Sequence, residues 1–325
     1  LTLLAPLTLL CACAGGTPEL SIESNWYNQT GERHVISPTN ETLVYDISFV
    51  PSEDAEGAQY TMSYENGTFT TTLKNENITL GDGTVAMGYH FTTNTEIDVK
   101  FTLNSVTSDA LHDTMETHAL FLDTDKGLKP VKSWQTVHSH TPNGMPSASF
   151  ASLRDSYKQY DYTLTTEYNT ELTEAKMKLD YLDTEEDNNN EPTSVSIKGS
   201  GSYFDNEQIL FALRGLDITS ALTFRTVNPN SRQKVSVSLY DAPEPVRETC
   251  TFTMNGEEKK EVTIEAYEFS LMYSQKYSGQ SKKFVYAKKT SPTNNVYRNL
   301  PLRMESPVLH SHGTLIYKLK SADLA

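Results

Sequence analysis

Cysteine is scarce in this chain of 325 residues. There are three, Cys11, Cys13 and Cys250, and the first two end an apolar segment at the start of the sequence. Processing at Cys13 leaves Cys250 as the only thiol, which excludes a disulfide framework. The roughly 300 remaining residues must therefore fold around a hydrophobic core, which a chain of this length can bury. Cys250 lies in a strand-like run, which predicts a buried and inert thiol.

The apolar run that opens the sequence is not of membrane-spanning length. Leu1–Leu10 is too short, because a transmembrane helix needs on the order of 20 apolar residues. It fits the hydrophobic region of a signal peptide instead. The following segment, Leu10–Cys13, has an aliphatic residue three positions before a cysteine and a small residue directly before it. This pattern predicts a lipoprotein signal.

We therefore expect residues 1–12 to be a signal peptide with a truncated start, and Cys13 to carry a lipid. Residues 13–38 are expected to form a tether, since Ala14–Pro18 is rich in small and turn-forming residues. This predicts a bacterial cell-surface protein on the extracytoplasmic face of the membrane. Ordinary secretion, with cleavage after Ala12 or Ala14, stays open. Glycosylated eukaryotic secretion is a further alternative, with triplets at Asn28, Asn40, Asn66 and Asn77.

Basic residues are also in short supply. The chain has 27 Lys and Arg against 42 Asp and Glu, a net charge of −15, and its pI is near 5.0. Such a charge repels phosphate backbones and anionic headgroups. We therefore expect no nucleic-acid partner and no electrostatic docking on a membrane, which leaves the lipid on Cys13 as the membrane contact. No sequence motif indicates a bound cofactor, so we expect none.

Period-two alternation of apolar and polar residues is what the sequence has in abundance, and it predicts half-buried strands. The clearest runs are around Tyr60, Val85, Ile97, Met177, Val235 and Leu315. Turn residues separate them at Glu65–Gly67, Gly81–Gly83, Asn255–Gly256 and Asp183–Pro192. We predict a mostly β fold: a large, curved, half-barrel-like antiparallel sheet over residues 39–320. It forms one domain, or two fused lobes at 39–145 and 155–320.

One or two short helices are expected under this sheet. Asp205–Arg214 carries a capping pattern, with Gln208 three residues after Asp205, and an apolar stripe of Phe204, Ile209 and Leu213. Ser108–His118 is a second candidate, as a helix or an ordered loop. In a separate run, the apolar positions change phase near Ala266, which predicts a bulge or a turn.

Several segments together resemble an uncharacterised family of lipid-anchored proteins from Gram-positive bacteria. The resemblance covers about residues 100–320 and lies in Leu128–Ser133, Tyr203–Gln208 with Leu213–Arg214, Val285–Ala287 and Gly313–Leu319. The chain is also distantly similar to the half-barrels of periplasmic lipoprotein carriers. That likeness implies a curved antiparallel sheet that wraps around helices and holds an acyl chain, an implication by analogy of fold.

Histidines supply the candidate metal chemistry. His138 and His140 are two residues apart, as are His310 and His312, a spacing that places both rings of a pair on one strand face. If the two pairs met, four imidazoles would form a tetrahedral zinc site. Extending the last predicted strand backwards from Leu315, however, places His310 and His312 on its polar face. We therefore expect both rings to be solvated.

Binding or scaffolding without catalysis is the favoured function, because no nucleophile motif such as Gly-x-Ser-x-Gly occurs. The expected ligand is hydrophobic or a lipid, held between the sheet and the apolar stripe of Phe204, Ile209 and Leu213. A metal-dependent extracytoplasmic enzyme that uses the histidine pairs is the alternative. A module that binds cell-wall glycan is another, through an exposed tyrosine row such as Tyr157, Tyr160 and Tyr162.

Overall fold

The computed structural model describes most of the predicted β domain. It covers residues 40–124, 127–182, 191–198, 203–215, 223–228, 232–239, 243–273, 281–288, 297 and 299–324. The predicted signal peptide, the lipidation site at Cys13 and the tether lie outside the described residues. So does most of the acidic loop predicted at Asp183–Pro192.

The described residues form sixteen strands. Their bounds are β1 Glu41–Pro51, β2 Tyr60–Thr79, β3 Val85–Leu103, β4 Val106–Thr107, β5 Leu111–Thr124, β6 Gly127–Pro142, β7 Tyr157–Tyr168, β8 Glu174–Tyr181, β9 Thr193–Ser196, β10 Thr223–Asn228, β11 Gln233–Leu239, β12 Glu244–Met254, β13 Glu257–Tyr273, β14 Lys282–Ala287, β15 Pro301–Pro307 and β16 Gly313–Leu324.

All of these strands belong to one sheet. Fourteen follow one another in the order β10-β11-β13-β14-β15-β16-β1-β2-β3-β5-β6-β7-β8-β9, each pair antiparallel, while β4 pairs with β3. β12 pairs with β13 and, over two residues, runs parallel to β16. Because β1 lies between β2 and β16, strands from both predicted lobes join in the same sheet.

The two ends of this path, at β9 and β10, lie close together because they contribute side chains to the same buried cluster. Leu164 of β7, Met177 of β8 and Ile197 after β9 form one buried cluster with Tyr203 and Val227, and Val227 belongs to β10. The sheet therefore curls until its two edges share side-chain contacts. The mostly β, half-barrel-like fold predicted from the alternating runs is confirmed.

One predicted helix is wrong. Within Ser108–His118 the chain instead enters β5, whose buried side chains fall on alternate residues, among them Asp113, Thr117 and Ala119. The strand pairs with β3 without interruption over its first eleven residues. The apolar spacing of this segment suits a helix or a strand, and the ladder offered by β3 decides between them.

The turn predicted at Glu65–Gly67 is a bulge inside β2, where the pairing with β3 shifts by one residue. Asn66 has a φ of 53°. A Cβ at Gly67 would lie 2.7 Å from the Cβ of Ile47 and 2.8 Å from Cδ1 of Ile97, so the fold requires glycine there. The hairpin turn predicted at Asn255–Gly256 is confirmed, with both residues at positive φ as a type I′ turn needs.

The change of phase predicted near Ala266 involves neither a bulge nor a turn at that residue. β13 buries Ile264 and Ala266, then Phe269 and Leu271, while its register with β14 stays unbroken from residue 266 to 271. The flanking strand changes instead: β13 pairs with β12 up to Glu268 and with β11 from Leu271. Each half of the strand therefore buries a different face.

The helix predicted at Asp205–Arg214 is confirmed. It consists of a 3-10 turn at Asn206–Gln208, the α-helix α1 at Ile209–Ala212 and a 3-10 turn at Leu213–Gly215. Asp205 accepts a hydrogen bond from the backbone N–H of Glu207, and the Gln208 side chain accepts one from the backbone N–H of Asp205. This is the predicted capping box. In the part of the chain that the structure describes, no helix has the length and apolar character to cross a membrane.

The helix packs into the interior of the curved sheet. Phe204, Ile209 and Leu213 are all buried in the main core cluster. Phe211 of α1 contacts a group of aromatic rings on β3 and β5, with ring centroids 5.3 to 6.4 Å apart: Tyr89, Phe91 and Phe121. Side chains thus occupy the space beneath the helix in which a ligand was expected.

Candidate functional site

The two predicted histidine pairs have separate environments. His138 and His140 share one side of β6, with ring centroids 5.3 Å apart. His140 is buried, and its Nδ1 lies 2.7 Å from the carboxylate of Asp113, which also accepts a hydrogen bond from the His140 backbone N–H. His138 Nδ1 pairs with the carboxylate of Asp161 on β7. Each ring therefore has its own carboxylate partner.

The placement predicted for His310 and His312 is wrong. Both precede β16, in or directly after a 3-10 turn at Leu309–Ser311, because the strand begins only at Gly313. His312 is buried rather than solvated: its Nε2 lies 2.7 Å from the carbonyl oxygen of Gly144 and its ring packs edge-on against Tyr60. Burial lowers the pKa of His312. His310 is exposed, as expected.

Within the described ranges, no group of three or more His, Cys, Asp or Glu residues is arranged to hold a metal ion. The four-histidine zinc site therefore does not form among these residues. Cys250 is half-buried, and burial raises the pKa of its thiol to about 11. A thiol with a raised pKa has little thiolate at neutral pH, which agrees with the inert cysteine predicted from its sequence context.

A buried polar network lies at the start of the helix. The carboxylate of Asp205 accepts hydrogen bonds from the hydroxyls of Ser133 on β6, at 2.8 Å, and Tyr168 on β7. Burial raises the pKa of Asp205 in spite of these hydrogen bonds. A cavity of about 10 Å³ adjoins the network, lined by Trp134 and Met177 among others. That volume suits about one water molecule, so this part of the interior cannot admit an acyl chain.

The inner face of the sheet opens to solvent beside this network. On β7 it passes from buried Leu164 to half-buried Tyr162 and to Tyr160, which is 37% exposed. On β8 it ends at Tyr181, which is 42% exposed. The rings of Tyr162 and Tyr181 pack edge-on, with centroids 6.4 Å apart. Two neighbouring strands therefore present tyrosines at one opening.

The opposite wall of the opening comes from β13 and β14. On the inner face of β13, buried Leu271 is followed by half-buried Tyr273. On the inner face of β14, buried Phe284 is preceded by Lys282, which solvent reaches. Both walls interact electrostatically with Glu207 at the start of the helix. We call this region the tyrosine mouth. Its residues are Tyr160, Tyr162, Tyr181, Glu207, Tyr273 and Lys282.

Charge in the tyrosine mouth is held in a poorly solvated setting. Burial and the nearby carboxylate of Asp205 raise the pKa of Glu207 to about 7, while the ammonium of Lys282 opposes this shift. Enclosure by the walls also lowers the pKa of Lys282, although its side chain remains accessible. Near neutral pH, Glu207 is therefore divided between its charged and neutral forms.

Sequence reasoning found part of this region. Of the predicted row of Tyr157, Tyr160 and Tyr162, the last two lie in the mouth. Tyr157 does not, because its ring stacks on Phe101, with centroids 4.6 Å apart. Glu207 was missed as a site residue. The only available signal was its position inside the predicted capping segment.

No protein-family model matches the chain, and no curated protein matches it. Among solved structures, the chain is similar to a beta-barrel-like protein of the domain of unknown function DUF1849 from Brucella abortus. The two chains are 7% identical, and the alignment covers 88% of this chain and 98% of that one with a TM-score of 0.46. The fold assigned to this chain therefore rests on its own strand order and pairing.

Proposed function

We propose that this protein is a non-catalytic extracytoplasmic lipoprotein that binds a lipid or another amphiphilic ligand in the tyrosine mouth. One observation carries the proposal: Tyr162, Tyr273 and Lys282, from three strands on opposite walls, all interact with Glu207 on the helix. Binding sites are usually concave, aromatic-lined and equipped with a few convergent polar groups. The mouth has the aromatic residues and the polar groups of such a site, and its tyrosines expose ring surface beside their hydroxyls.

The composition of the mouth defines the ligand class. Tyrosine rings contact an apolar portion, while Glu207 and Lys282 provide an acceptor or donor and a cation for a polar headgroup. Phe204, Ile209 and Leu213, the expected ligand residues, are buried in the main core. In this proposal they hold the helix in place, and the ligand's apolar part stays at the opening rather than beneath the helix.

The proposed subcellular location rests on the sequence. Leu10–Cys13 supports lipid attachment at Cys13 and an extracytoplasmic location. The resemblance to lipid-anchored proteins of Gram-positive bacteria supports the same location. The net charge of −15 supports a membrane contact through the lipid alone.

Native mass spectrometry of a form that lacks residues 1–13, purified from its host, tests the ligand. We expect a bound lipid mass that is lost in Tyr181→Ala and Lys282→Ala, whose exposed side chains contribute little to folding. Met272→Ala is the matched control, because Met272 is exposed on the other face of β13, next to Tyr273. Bare protein, or equal ligand in all variants, would contradict the proposal.

A cell-wall glycan is the second candidate ligand. The exposed rings of Tyr160 and Tyr181 favour it, because they present flat surfaces at the opening. Co-sedimentation with purified insoluble cell wall distinguishes the two classes. Sedimentation that Tyr181→Ala abolishes, together with an absence of bound lipid, would assign the mouth to glycan.

A further inference from the structure

Two opposite charges in the tyrosine mouth are held apart from each other. Glu207 at the start of the helix and Lys282 on β14 interact electrostatically. Both belong to the part of the chain that the structure describes, and within it no ion pair joins their charged atoms. The Glu207 carboxylate accepts a hydrogen bond from the Asn206 side chain at 2.9 Å. The mouth therefore offers an anion and a cation at separate positions.

Both charged groups lie in a recess. Protein surrounds the Lys282 ammonium closely enough to lower its pKa by desolvation, yet solvent reaches the side chain. Glu207 combines the same two properties, since burial raises its pKa while the residue stays partly accessible. Glu207 also lines the small cavity next to Leu164 of β7 and Met177 of β8. A ligand from solvent can therefore reach both charges in poorly solvated surroundings.

The tyrosine rings of one wall stand at an angle to each other. Tyr162 and Tyr181 lie directly opposite on β7 and β8, with ring planes at 71° and centroids 6.4 Å apart. Tyr181 is 42% exposed. Among the described residues, cations lie over the rings of Tyr157 and Tyr267 and not over this pair. Rings at such an angle form the corner of an aromatic cage, which is how proteins recognise quaternary ammonium groups.

We propose that the tyrosine mouth recognises a zwitterionic headgroup in which a quaternary ammonium is joined to a phosphate. The ammonium lies against Tyr162 and Tyr181, beside the Glu207 carboxylate, and the phosphate lies at Lys282. This ligand class, headgroups of the phosphocholine type, rests on the proposed function and makes it more specific.

Other headgroups leave one charge of the mouth unmatched. An anionic headgroup pairs with Lys282 but is repelled by Glu207, and a simple cation meets the reverse. A primary ammonium has the correct charge, but it is strongly hydrated. The methyl groups of a quaternary ammonium instead give the tyrosine rings an apolar surface to contact, on a group that still carries a positive charge. The zwitterion therefore matches both the rings and the two charges.

Binding should depend on pH, because only the charged form of Glu207 attracts the ammonium. The pKa of Glu207 is about 7, raised by burial and by the Asp205 carboxylate and opposed by the Lys282 ammonium. Tyr162 and Tyr273, which also face it, stay neutral because burial raises the pKa of each to about 12. Affinity should therefore rise by up to about tenfold between pH 6 and pH 8.

The test is ligand-observed NMR of the full chain in an uncharged maltoside detergent, with phosphocholine as the probe. Broadening of its methyl signal reports binding. We expect saturable binding that weakens about tenfold in Glu207→Gln and Lys282→Ala, and about two- to fivefold in Tyr181→Ala. Glu207→Gln should also abolish the pH dependence. Met272→Ala is the matched control and should bind as the parent does, because Met272 is exposed on the other face of β13.

Fragments of the probe identify which residue holds each end. Choline should lose affinity in Glu207→Gln and retain it in Lys282→Ala, whereas inorganic phosphate should show the opposite pattern. Phosphoethanolamine, with a primary ammonium, should bind more weakly than phosphocholine. Thermal melts establish that each variant is folded.

Three outcomes would overturn the proposal. They are an absence of phosphocholine binding by the folded parent, an affinity that Glu207→Gln and Tyr181→Ala leave unchanged, and equal affinity for phosphoethanolamine. If native mass spectrometry still finds a bound lipid that Tyr181→Ala removes, the proposed function stands and the headgroup assignment alone fails. If no lipid is bound either, both fail.

Discussion

Arg214 and Glu41 form a buried ion pair between residues that are 173 positions apart. Both guanidinium Nη atoms donate to the Glu41 carboxylate, with one distance of 3.1 Å, and both side chains are almost fully buried. Arg214 also donates to the carbonyl oxygen of Asn299, whose side chain donates to the Arg214 carbonyl oxygen. The end of the helix is thereby fixed to the start of β1.

Breaking this pair should destabilise the fold strongly. Glu41→Gln leaves the Arg214 charge buried without its counter-ion, and we expect the free energy of unfolding to fall by about 3–5 kcal/mol. Urea denaturation measures it. Asp46→Asn is the control, because the Asp46–Lys320 pair is exposed and should cost under about 1 kcal/mol. Similar losses in both variants would contradict a special role for the buried pair.

Leu213→Ala tests the apolar stripe of the helix. Leu213 is 2% exposed in the main core, so its truncation should cost about 2–5 kcal/mol of stability. Leu182→Ala removes a leucine that is 59% exposed, and it should have little effect in the same denaturant melts. If Leu213→Ala lowers stability by less than about 0.5 kcal/mol, the helix does not close the core.

Gly67→Ala tests the bulge in β2. The new methyl group would overlap Ile47 and Ile97, so we expect a loss of about 1–3 kcal/mol from overpacking, measured by thermal or urea unfolding. Gly81→Ala provides the comparison, since a Cβ there meets no atom within 4 Å. Equal stability of the two variants would show that the bulge can relax.

Glu207 should make stability depend on pH. Its pKa rises from 4.5 in the unfolded chain to about 7 in the fold, so the folded protein holds this proton more tightly. The associated stability is present below about pH 4.5 and is lost as pH rises through about 7. Glu207→Gln should remove this dependence, a difference of up to about 3 kcal/mol across that window.

Urea melts between pH 4 and pH 8 measure this difference. Glu257→Gln is the control, because its carboxylate is exposed on a hairpin and should leave the pH profile unchanged. A Glu207→Gln profile parallel to that of the parent would mean that the carboxylate is fully solvated.

The lipid anchor predicts a simple labelling result. Cys13→Ser removes the sulfur that would carry the lipid, so incorporation of radioactive fatty acid should disappear, and the protein should become soluble or stay uncleaved. Cys11→Ser is the control and should keep its label, because Cys11 lies in the predicted signal peptide. Equal label in Cys13→Ser and the parent would rule out this anchor.

Local patterns predicted the parts of the fold that depend on neighbouring residues. The alternating runs identified the strands, and Asp205 with Gln208 marked the helix, because a capping box is formed within four residues. Ser108–His118 was ambiguous because its apolar spacing suits two structures until β3 supplies a pairing partner. Local sequence patterns did not predict structure that depends on pairing between distant segments.

The sites could not be read in the same way. His140 and Asp113 are 27 positions apart, and no local pattern indicates that the pairing of β6 with β5 brings them together. His138 and His140 do share a side of their strand as the spacing predicts, whereas His312 was misplaced because the strand begins at Gly313. Spacing within one strand was informative, and contacts between elements required the structure.

The pairing of β1 with β16 delays completion of the sheet. Glu41 lies opposite Leu324, so one edge of β1 has no strand partner until the segment at Gly313–Leu324 has been synthesised. Such long-range pairing slows folding, because a very large loop must close before its contacts form. If the chain is exported, β1 and β16 can pair only after Gly313–Leu324 has also crossed the membrane.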